Sequence, residues 1–240
     1  MAKPRHLYDP EFVTSLFDEM SKTYGIVNSI SSFGFCVIWR KQCANLLEYV
    51  NGETVVDLMS GMAELSITIN RTNSGLHFEA IDLSQAMCDL ASTNVERKGL
   101  SSCNVVRGDA LNTSFEPGYA DAIVSTFGLK TFSSQQLKEL ASEICRILKP
   151  GGQIAFLEIS VPRVSILRVP YMFYLNRVIP FVGRLFMGNP DNYRLLGIYT
   201  SRFKNCDAAI EIFRAAGLVI EPQTFFFGCA TGFRGKKPPN

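Results

Sequence analysis

Residues 54–61 read Thr54-Val55-Val56-Asp57-Leu58-Met59-Ser60-Gly61, an apolar run that ends in an acid and is followed by a glycine. Two later apolar runs end in the same way, with Asp82 after residues 76–81 and Asp109 after residues 103–108. This spacing fits repeated units of a strand followed by a helix, which build a parallel sheet. The carboxyl ends of such strands open onto a ligand-binding crevice, where a carboxylate can accept hydrogen bonds from ribose hydroxyls or a base amino group. The three acids therefore predict a nucleotide-like ligand at one edge of the sheet.

The rest of the chain continues the alternation of strands and helices. A helical extension over residues 11–49 precedes the first acidic run, and Ser84 is a predicted N-cap for a helix that Gly99 ends. Residues 65–69 alternate like a strand, but a parallel crossover requires a helix there, so we predict a helix. The remaining periodicity predicts strands at 121–126, 153–159, 218–227 and 229–235, and helices at 133–148 and 207–216. This order indicates an α/β fold with a doubly wound, mostly parallel sheet.

The composition indicates one large domain and excludes several functions. A chain of 240 residues can bury a substantial core, with two small domains as the less favoured alternative. The 24 basic and 22 acidic residues give a net charge of +2 without a long basic block, so we expect no nucleic-acid partner. Seven scattered cysteines without a C-x-x-C pair indicate reduced thiols and no metal site. Because the charged start lacks the apolar core of a secretory signal, we expect a cytoplasmic protein.

One segment, residues 164–187, is strongly apolar and aromatic. Arg168, Arg177 and Arg184 interrupt it, as do two prolines, and three arginines in one span would be costly in a bilayer. We therefore predict either a lid over an apolar pocket or a patch that contacts a membrane surface.

Three residues of the opening pattern each have two interpretations. Gly61 fits the turn of a cofactor-binding loop, where glycine allows close backbone approach, but a lone glycine also fits an ordinary turn. Asp82 fits an acceptor for both ribose hydroxyls, or a turn residue near a helix cap. Asp109 fits an acceptor for an adenine amino group, or a solvated turn after a glycine.

Longer motifs are spread over most of the chain, between Phe17 and Lys236: residues 22–28 with Trp39-Arg40-Lys41, then 125–130, 146–152, 192–196 and 232–235. With these motifs the chain resembles the class I S-adenosylmethionine-dependent methyltransferases, and more narrowly it is similar to the ubiquinone/menaquinone biosynthesis C-methyltransferase family. The resemblance implies a Rossmann-like, seven-stranded single domain. Its parts would be an N-terminal helical cap (1–50), a cofactor-binding core (51–160), a helical lid insertion (161–204), and a C-terminal helix and strands (205–240).

The resemblance also implies residues that bind S-adenosyl-L-methionine. From the methionine end to the adenine end these are Asp57, Gly61 and Ser66, then Asp82 and Leu83, then Asp109 and Ala110, with Thr126 in the wall at the fourth strand. Tyr24 and Asn28, expected to be catalytic together with Lys130, would close over cofactor and substrate from the N-terminal extension, although an aromatic at Tyr24 fits simple packing equally well.

The chain departs from the family pattern in the half of the site where the reaction occurs. Where the family has an Arg-Asn pair, this chain has Lys130-Thr131, and a lysine stabilises a phenolate as a point charge without the guanidinium fork. Lys130 could equally be a solvated loop residue. Met59, Met62 and Ala63 replace smaller residues of the cofactor loop, where a side chain penalises positive φ. Gly25 stands where the family has an aspartate.

These observations predict a methyltransferase that acts on an apolar, aromatic or quinol-like small molecule, with carbon methylation favoured. For carbon methylation, the chain would align the acceptor and stabilise its deprotonated form. The departures from the family pattern fit an enzyme of specialised metabolism, related to the quinone-pathway methyltransferase, as well as they fit the quinone-pathway enzyme itself. The alternatives are nitrogen or oxygen methylation, and an accessory protein that keeps the fold without transfer. Peripheral membrane contact and a homodimer are further hypotheses.

Overall fold

The protein is described by a computed structural model that covers residues 6–185 and 189–239, with side chains described except at residues 6, 22–31 and 190. Seven strands form one sheet: β1 (Thr54–Leu58), β2 (His77–Asp82), β3 (Cys103–Arg107), β4 (Ala120–Thr126), β5 (Leu148–Ile159), β6 (Val219–Phe225) and β7 (Ala230–Lys236). The helices are α1 (Pro10–Ser31), α2 (Phe35–Ala44), α3 (Glu64–Asn70), α4 (Gln85–Arg97), α5 (Ser134–Ile147), α6 (Ser165–Phe173), α7 (Ile179–Leu185), α8 (Pro190–Phe203) and α9 (Asp207–Ala215).

The strand order is β3-β2-β1-β4-β5-β7-β6, and β1 to β5 run parallel. Strand β7 runs antiparallel to both of its neighbours, β5 and β6, because β6 and β7 form a hairpin that adds to the edge of β5 through β7. The predicted mostly parallel, seven-stranded sheet is confirmed. The order reverses between β1 and β4, and ligands of such sheets bind at that reversal, outside the carboxyl ends of the strands.

Local sequence explains where the helices that follow the sheet begin and end. The Ser84 hydroxyl accepts a hydrogen bond from the Met87 amide at 3.1 Å, which confirms the predicted cap of α4. Ser133 caps α5 in a capping box with Gln136. The segment at residues 65–69 is helical, as topology required, and three of its apolar side chains are buried: Leu65, Ile67 and Ile69.

The N-terminal helices and the segment between β5 and α9 lie beside the carboxyl edge of the sheet. The Asp18 carboxylate of α1 accepts a hydrogen bond from the Ser84 hydroxyl, so α1 is fixed against the start of α4. After β5 come α6, a π-helical turn (Tyr174–Val178), α7 and α8. In residues 6–185 and 189–239, no helix combines the length and apolar content needed to cross a bilayer.

Candidate functional site

A large cleft, hereafter the edge cleft, opens at the carboxyl ends of β1 to β4 and encloses about 1040 Å³, part of it open to solvent. Each strand contributes the loop that follows it, and α1 covers one side with Val13, Thr14 and Phe17. Six of the predicted cofactor residues line this cleft: Gly61, Asp82, Leu83, Asp109, Ala110 and Thr126. The structure therefore brings the residues after four separate strands to one surface.

Asp82 holds together the loops that follow β1 and β2. One carboxylate oxygen accepts the Gly61 amide at 2.8 Å, and the other accepts the Ser84 amide at 3.0 Å. Burial raises the pKa of this carboxyl, and these amide bonds oppose the shift. Each carboxylate oxygen has a second lone pair, so acceptor capacity remains on the cleft side. Asp109 also lines the cleft, and its carboxylate accepts the Leu111 amide at 2.9 Å.

Asp57 and Ser66 lie below the cleft surface and are bonded to each other. The Asp57 carboxylate accepts the Ser66 hydroxyl at 2.7 Å and the Ser66 amide at 3.2 Å. Both residues are almost fully buried, and neither is among the residues that line the cleft. This pair joins the end of β1 to α3, so it shapes the loop between them.

Burial raises the pKa of Asp57 from its usual 3.8 to about 7, although the bonds from Ser66 lower it. Because the folded pKa lies above the unfolded one, the folded protein keeps a proton that the unfolded chain releases between pH about 4 and 7. The stability contribution of this carboxyl is therefore complete below about pH 4, and it falls by up to about 1.4 kcal/mol per pH unit until pH 7.

We expect Asp57→Asn to remove this slope, since an amide does not titrate. Urea unfolding at pH 5 and pH 7 measures it. The free energy of unfolding of the wild type should fall relative to that of Asp57→Asn by about 2 kcal/mol between these pH values. A difference that does not change with pH would mean that Asp57 is ionised throughout this range.

The loop after β1 adopts left-handed backbone at three positions. Met59, Gly61 and Ala63 have φ of 54°, 54° and 56°. Left-handed backbone costs a residue with a Cβ about 1–2 kcal/mol. At Ala63, which is fully buried, glycine would lose a methyl contact of about 0.8 kcal/mol and add unfolded-chain entropy of similar size, so these two losses together nearly offset the strain that glycine would relieve. The predicted conformational penalty for a side chain at positive φ is therefore present at Ala63, and the loop nevertheless keeps its left-handed backbone there.

Met59 packs against Gly128, the residue that follows Phe127 after β4. A Cβ built at Gly128 would lie 2.8 Å from the Met59 Cβ, closer than such atoms approach. We expect Gly128→Ala to destabilise the protein by about 1–3 kcal/mol, as overpacking does. The same change in a Met59→Gly background should cost less than about 0.5 kcal/mol, because the colliding atom is gone. Thermal unfolding of the four proteins tests this, and equal costs in both backgrounds would exclude the contact.

A second, apolar cavity of about 670 Å³, hereafter the inner cavity, adjoins the edge cleft. It lies between α1, the turn after β4, and α8. Three residues line both spaces, namely Phe17, Phe127 and Thr131. Phe127 has φ of 68°, an uncommon conformation for an aromatic residue and one that often marks a functional site.

Lys130 faces the inner cavity and is buried, so the alternative of a solvated loop lysine is wrong. Its ammonium nitrogen lies 2.8 Å from the carboxylate of Glu158, which has no solvent exposure, and also donates to the Phe127 carbonyl. The Glu158 carboxylate also accepts the backbone amides of Lys130 and Ile159. An ammonium group has three donor hydrogens, and these two bonds use two.

Sequence reasoning gave no role to Arg40, Glu158 or Asn192. Arg40 is buried, forms an ion pair with Glu64 at the start of α3, and lies 5.6 Å from the centre of the Phe127 ring. The sequence does indicate a role for Glu158, because an acid within an apolar strand requires a buried partner. For Asn192, the sequence indicates no role beyond its place in the motif at residues 192–196.

The two other predicted catalytic residues, Tyr24 and Asn28, fall within α1. Their side chains lie outside the described residues. Their predicted closure over cofactor and substrate stays a prediction.

The edge cleft fits a nucleoside that carries an amino acid. Ser60 lines the cleft, and its hydroxyl is buried without a hydrogen-bond partner among the described residues. Apart from Gly61 itself and its two neighbours in the chain, no described atom lies within 4 Å of a Cβ built at Gly61, so the loop leaves open space where a ligand can approach the backbone. Carboxylates at the ends of β2 and β3 supply acceptors for ribose and base. The residues present therefore fit S-adenosylmethionine.

Solved structures share this fold at low sequence identity. The [4+2]-cyclase SpnF aligns with a TM-score of 0.62 at 16% identity, over 84% of this chain and 80% of its own. A SAM-dependent methyltransferase from Aquifex aeolicus aligns with a TM-score of 0.58 at 16% identity, over 82% of this chain and 89% of its own. At such identities the likeness shows the fold alone.

The strand order, the edge cleft and its acids define a class I methyltransferase that uses S-adenosylmethionine. The chain belongs to the ubiE/COQ5 methyltransferase family, whose model matches residues 5–237. Two similar relatives are both called demethylmenaquinone methyltransferase. That of Thermotoga maritima is 32% identical over 92% of this chain and 93% of its own length. That of Thermus thermophilus is 28% identical over 93% of this chain and 100% of its own length. The resemblance drawn from the sequence is confirmed.

Proposed function

We propose that this methyltransferase methylates a ring carbon of a quinol-like acceptor that occupies the inner cavity. The observation that carries the proposal is that two adjoining compartments share Phe17, Phe127 and Thr131 in their walls. Both are largely apolar, but Glu64, Asp82 and Asp109 line the edge cleft, whereas no acid lines the inner cavity among the described residues. The names of the relatives support a quinone-like acceptor.

The edge cleft would hold the cofactor, which supplies an activated methyl group when bound. Asp82 would accept the ribose hydroxyls, Asp109 and Ala110 would border the adenine, and the Ser60 hydroxyl and Gly61 would lie at the amino-acid end. Arg40 lines the same end beside Glu64, where its positive charge would favour a carboxylate. Asp57 and Ser66 act one layer deeper, by fixing the loop that carries Ser60 and Gly61.

Lys130 would stabilise the acceptor once its hydroxyl has lost a proton. Attack by a ring carbon requires electron density from a phenolate oxygen, so a positive charge beside that oxygen favours the reaction. The third ammonium hydrogen of Lys130 can bind that oxygen, while Glu158 holds the side chain in place. Phe17 and Phe127 line both compartments, and their apolar rings would exclude water from the boundary once cofactor and acceptor are bound.

A transfer assay with a deuterated methyl donor and a short-tailed demethylmenaquinol tests this proposal. We expect the labelled methyl group on a ring carbon, identified by NMR of the product. A label on oxygen would support O-methylation, and no transfer to this acceptor or to any member of a library of aromatic acceptors would support the accessory-protein alternative. Either outcome would overturn carbon methylation.

We further propose that residues 161–204 form a lid through which apolar acceptors enter from a membrane surface. Several large apolar side chains of this segment are exposed, among them Ile166 at 86%, Val169 at 73% and Phe173 at 62%. A third cavity, lined mostly by aromatic and aliphatic residues, lies beside them and shares Cys36, Ile159, Ile179 and Leu196 with the inner cavity. Sedimentation with phospholipid vesicles tests this, and binding that survives Val169→Glu with Phe173→Glu would exclude this face.

The single domain, the homodimer, the cytoplasmic location and the absence of a nucleic-acid partner stay predictions. Analytical ultracentrifugation at micromolar concentration tests the homodimer directly, since a species of 26.7 kDa would exclude it.

A further inference from the structure

Asn192 lies in the first turn of α8 and lines the inner cavity, on an element separate from the one that carries Lys130. Its side-chain amide nitrogen is buried and has no hydrogen-bond partner within the described part of the chain. A buried donor without an acceptor costs about 1–3 kcal/mol, so such groups usually have a reason to be kept. An acceptor atom supplied by a ligand is one such reason.

The other polar side chains described around the inner cavity already have partners. Lys130 bonds Glu158, the Thr131 hydroxyl donates to the Gly128 carbonyl at 2.7 Å, and the Tyr199 hydroxyl donates to the Leu7 carbonyl. Tyr193 also has a partner. Among the residues that the structure describes, the amide nitrogen of Asn192 is therefore the side-chain donor of this cavity that has no partner at all, whereas Lys130 keeps one unused ammonium hydrogen.

We propose that Asn192 is a specificity-determining residue that donates a hydrogen bond to a second oxygen of the acceptor. This inference rests on the proposed function, in which the first oxygen meets Lys130. With donors on two separate elements, the inner cavity selects a ring that carries two oxygens over a ring that carries one. A site with a buried donor discriminates strongly against a ligand that leaves the donor unpaired.

Two matched probes test the inference: 1,4-naphthohydroquinone, with two hydroxyls, and 1-naphthol, with one. Calorimetric titration is done without oxygen, on protein saturated with S-adenosylhomocysteine. We expect the wild type to bind the dihydroxy compound about tenfold more tightly, as one good hydrogen bond allows. Asn192→Leu, of similar volume, should abolish this preference and leave the affinity for 1-naphthol within about twofold. Leu196→Ala, which widens the same cavity, should weaken both compounds alike.

Other outcomes overturn the inference. These are equal binding of both probes by the wild type, binding of neither, a preference that survives Asn192→Leu, and an equal loss for both probes in that variant, which would indicate packing alone. Methyl transfer by the wild type is measured separately. Transfer without the preference means that only the role of Asn192 is wrong, whereas a preference without transfer means that the proposed reaction is wrong.

Discussion

Asp82→Ala should weaken the binding of S-adenosylmethionine about 100-fold or more. The carboxylate serves two purposes, because it faces the edge cleft and also accepts the amides of Gly61 and Ser84. A hydrogen bond to a charged group is worth about 1.5–3 kcal/mol, so loss of two ribose contacts alone accounts for this factor. Release of the Gly61 loop adds to the loss. Calorimetric titration with the cofactor measures the effect.

Asp89→Ala is a matched control for the change in charge. Asp89 is an exposed acid on α4, seven positions after Asp82, and its carboxylate accepts only the Gln85 side chain among the bonds described. Cofactor affinity should be unchanged in this variant. Affinity within about threefold of wild type in Asp82→Ala would show that the ribose binds elsewhere.

Breaking the buried ion pair of Lys130 and Glu158 should destabilise the fold by about 3–5 kcal/mol, because the remaining charge is left without its partner. We expect this for Lys130→Met and for Glu158→Gln separately. The double variant should recover most of the loss, since neither charge then remains and glutamine keeps an acceptor for the backbone amides. Urea unfolding of the four proteins gives the coupling free energy.

The surface pair of Arg163 and Asp207 provides the comparison, because both side chains are more than half exposed. Arg163→Gln should change the free energy of unfolding by less than about 1 kcal/mol. Both single variants at Lys130 and Glu158 should lose methyl transfer. If the losses of unfolding free energy in Lys130→Met and Glu158→Gln simply add in the double variant, the two residues are not coupled. Methyl transfer at the wild-type rate in Lys130→Met would contradict the proposed role of Lys130 in stabilising the acceptor.

Most of the fold could be predicted because its signals are local and repeated. Apolar runs, caps and glycine stops mark β1 to β5 with their helices, and the rule for parallel crossovers corrected the strand-like alternation at residues 65–69. Several boundaries differ from the prediction. Strand β5 begins at Leu148, inside the predicted helix 133–148, because Leu148 pairs with Ala120 of β4. Helix α2 ends at Ala44, before the predicted end of the helical extension at residue 49.

The sequence predicted the parts of the site that depend on an acidic residue at the end of a parallel strand. Asp82 and Asp109 meet at the edge cleft because parallel strands end at the same edge. The pairing of Lys130 with Glu158 joins residues 28 positions apart, and the unpartnered amide of Asn192 depends on how α8 packs. Neither follows from spacing. Asp57 illustrates the same limit, since its distance below the cleft surface depends on packing rather than on its place in the strand.

A crystal structure with S-adenosylhomocysteine tests the central claim most directly, namely that the edge cleft holds the cofactor and the inner cavity holds the acceptor. We predict both ribose hydroxyls within hydrogen-bonding distance of the Asp82 carboxylate, the adenine beside Asp109 and Ala110, and the sulfur facing the boundary formed by Phe17, Phe127 and Thr131. A sulfur that faces bulk solvent, or a ribose away from Asp82, would contradict the account.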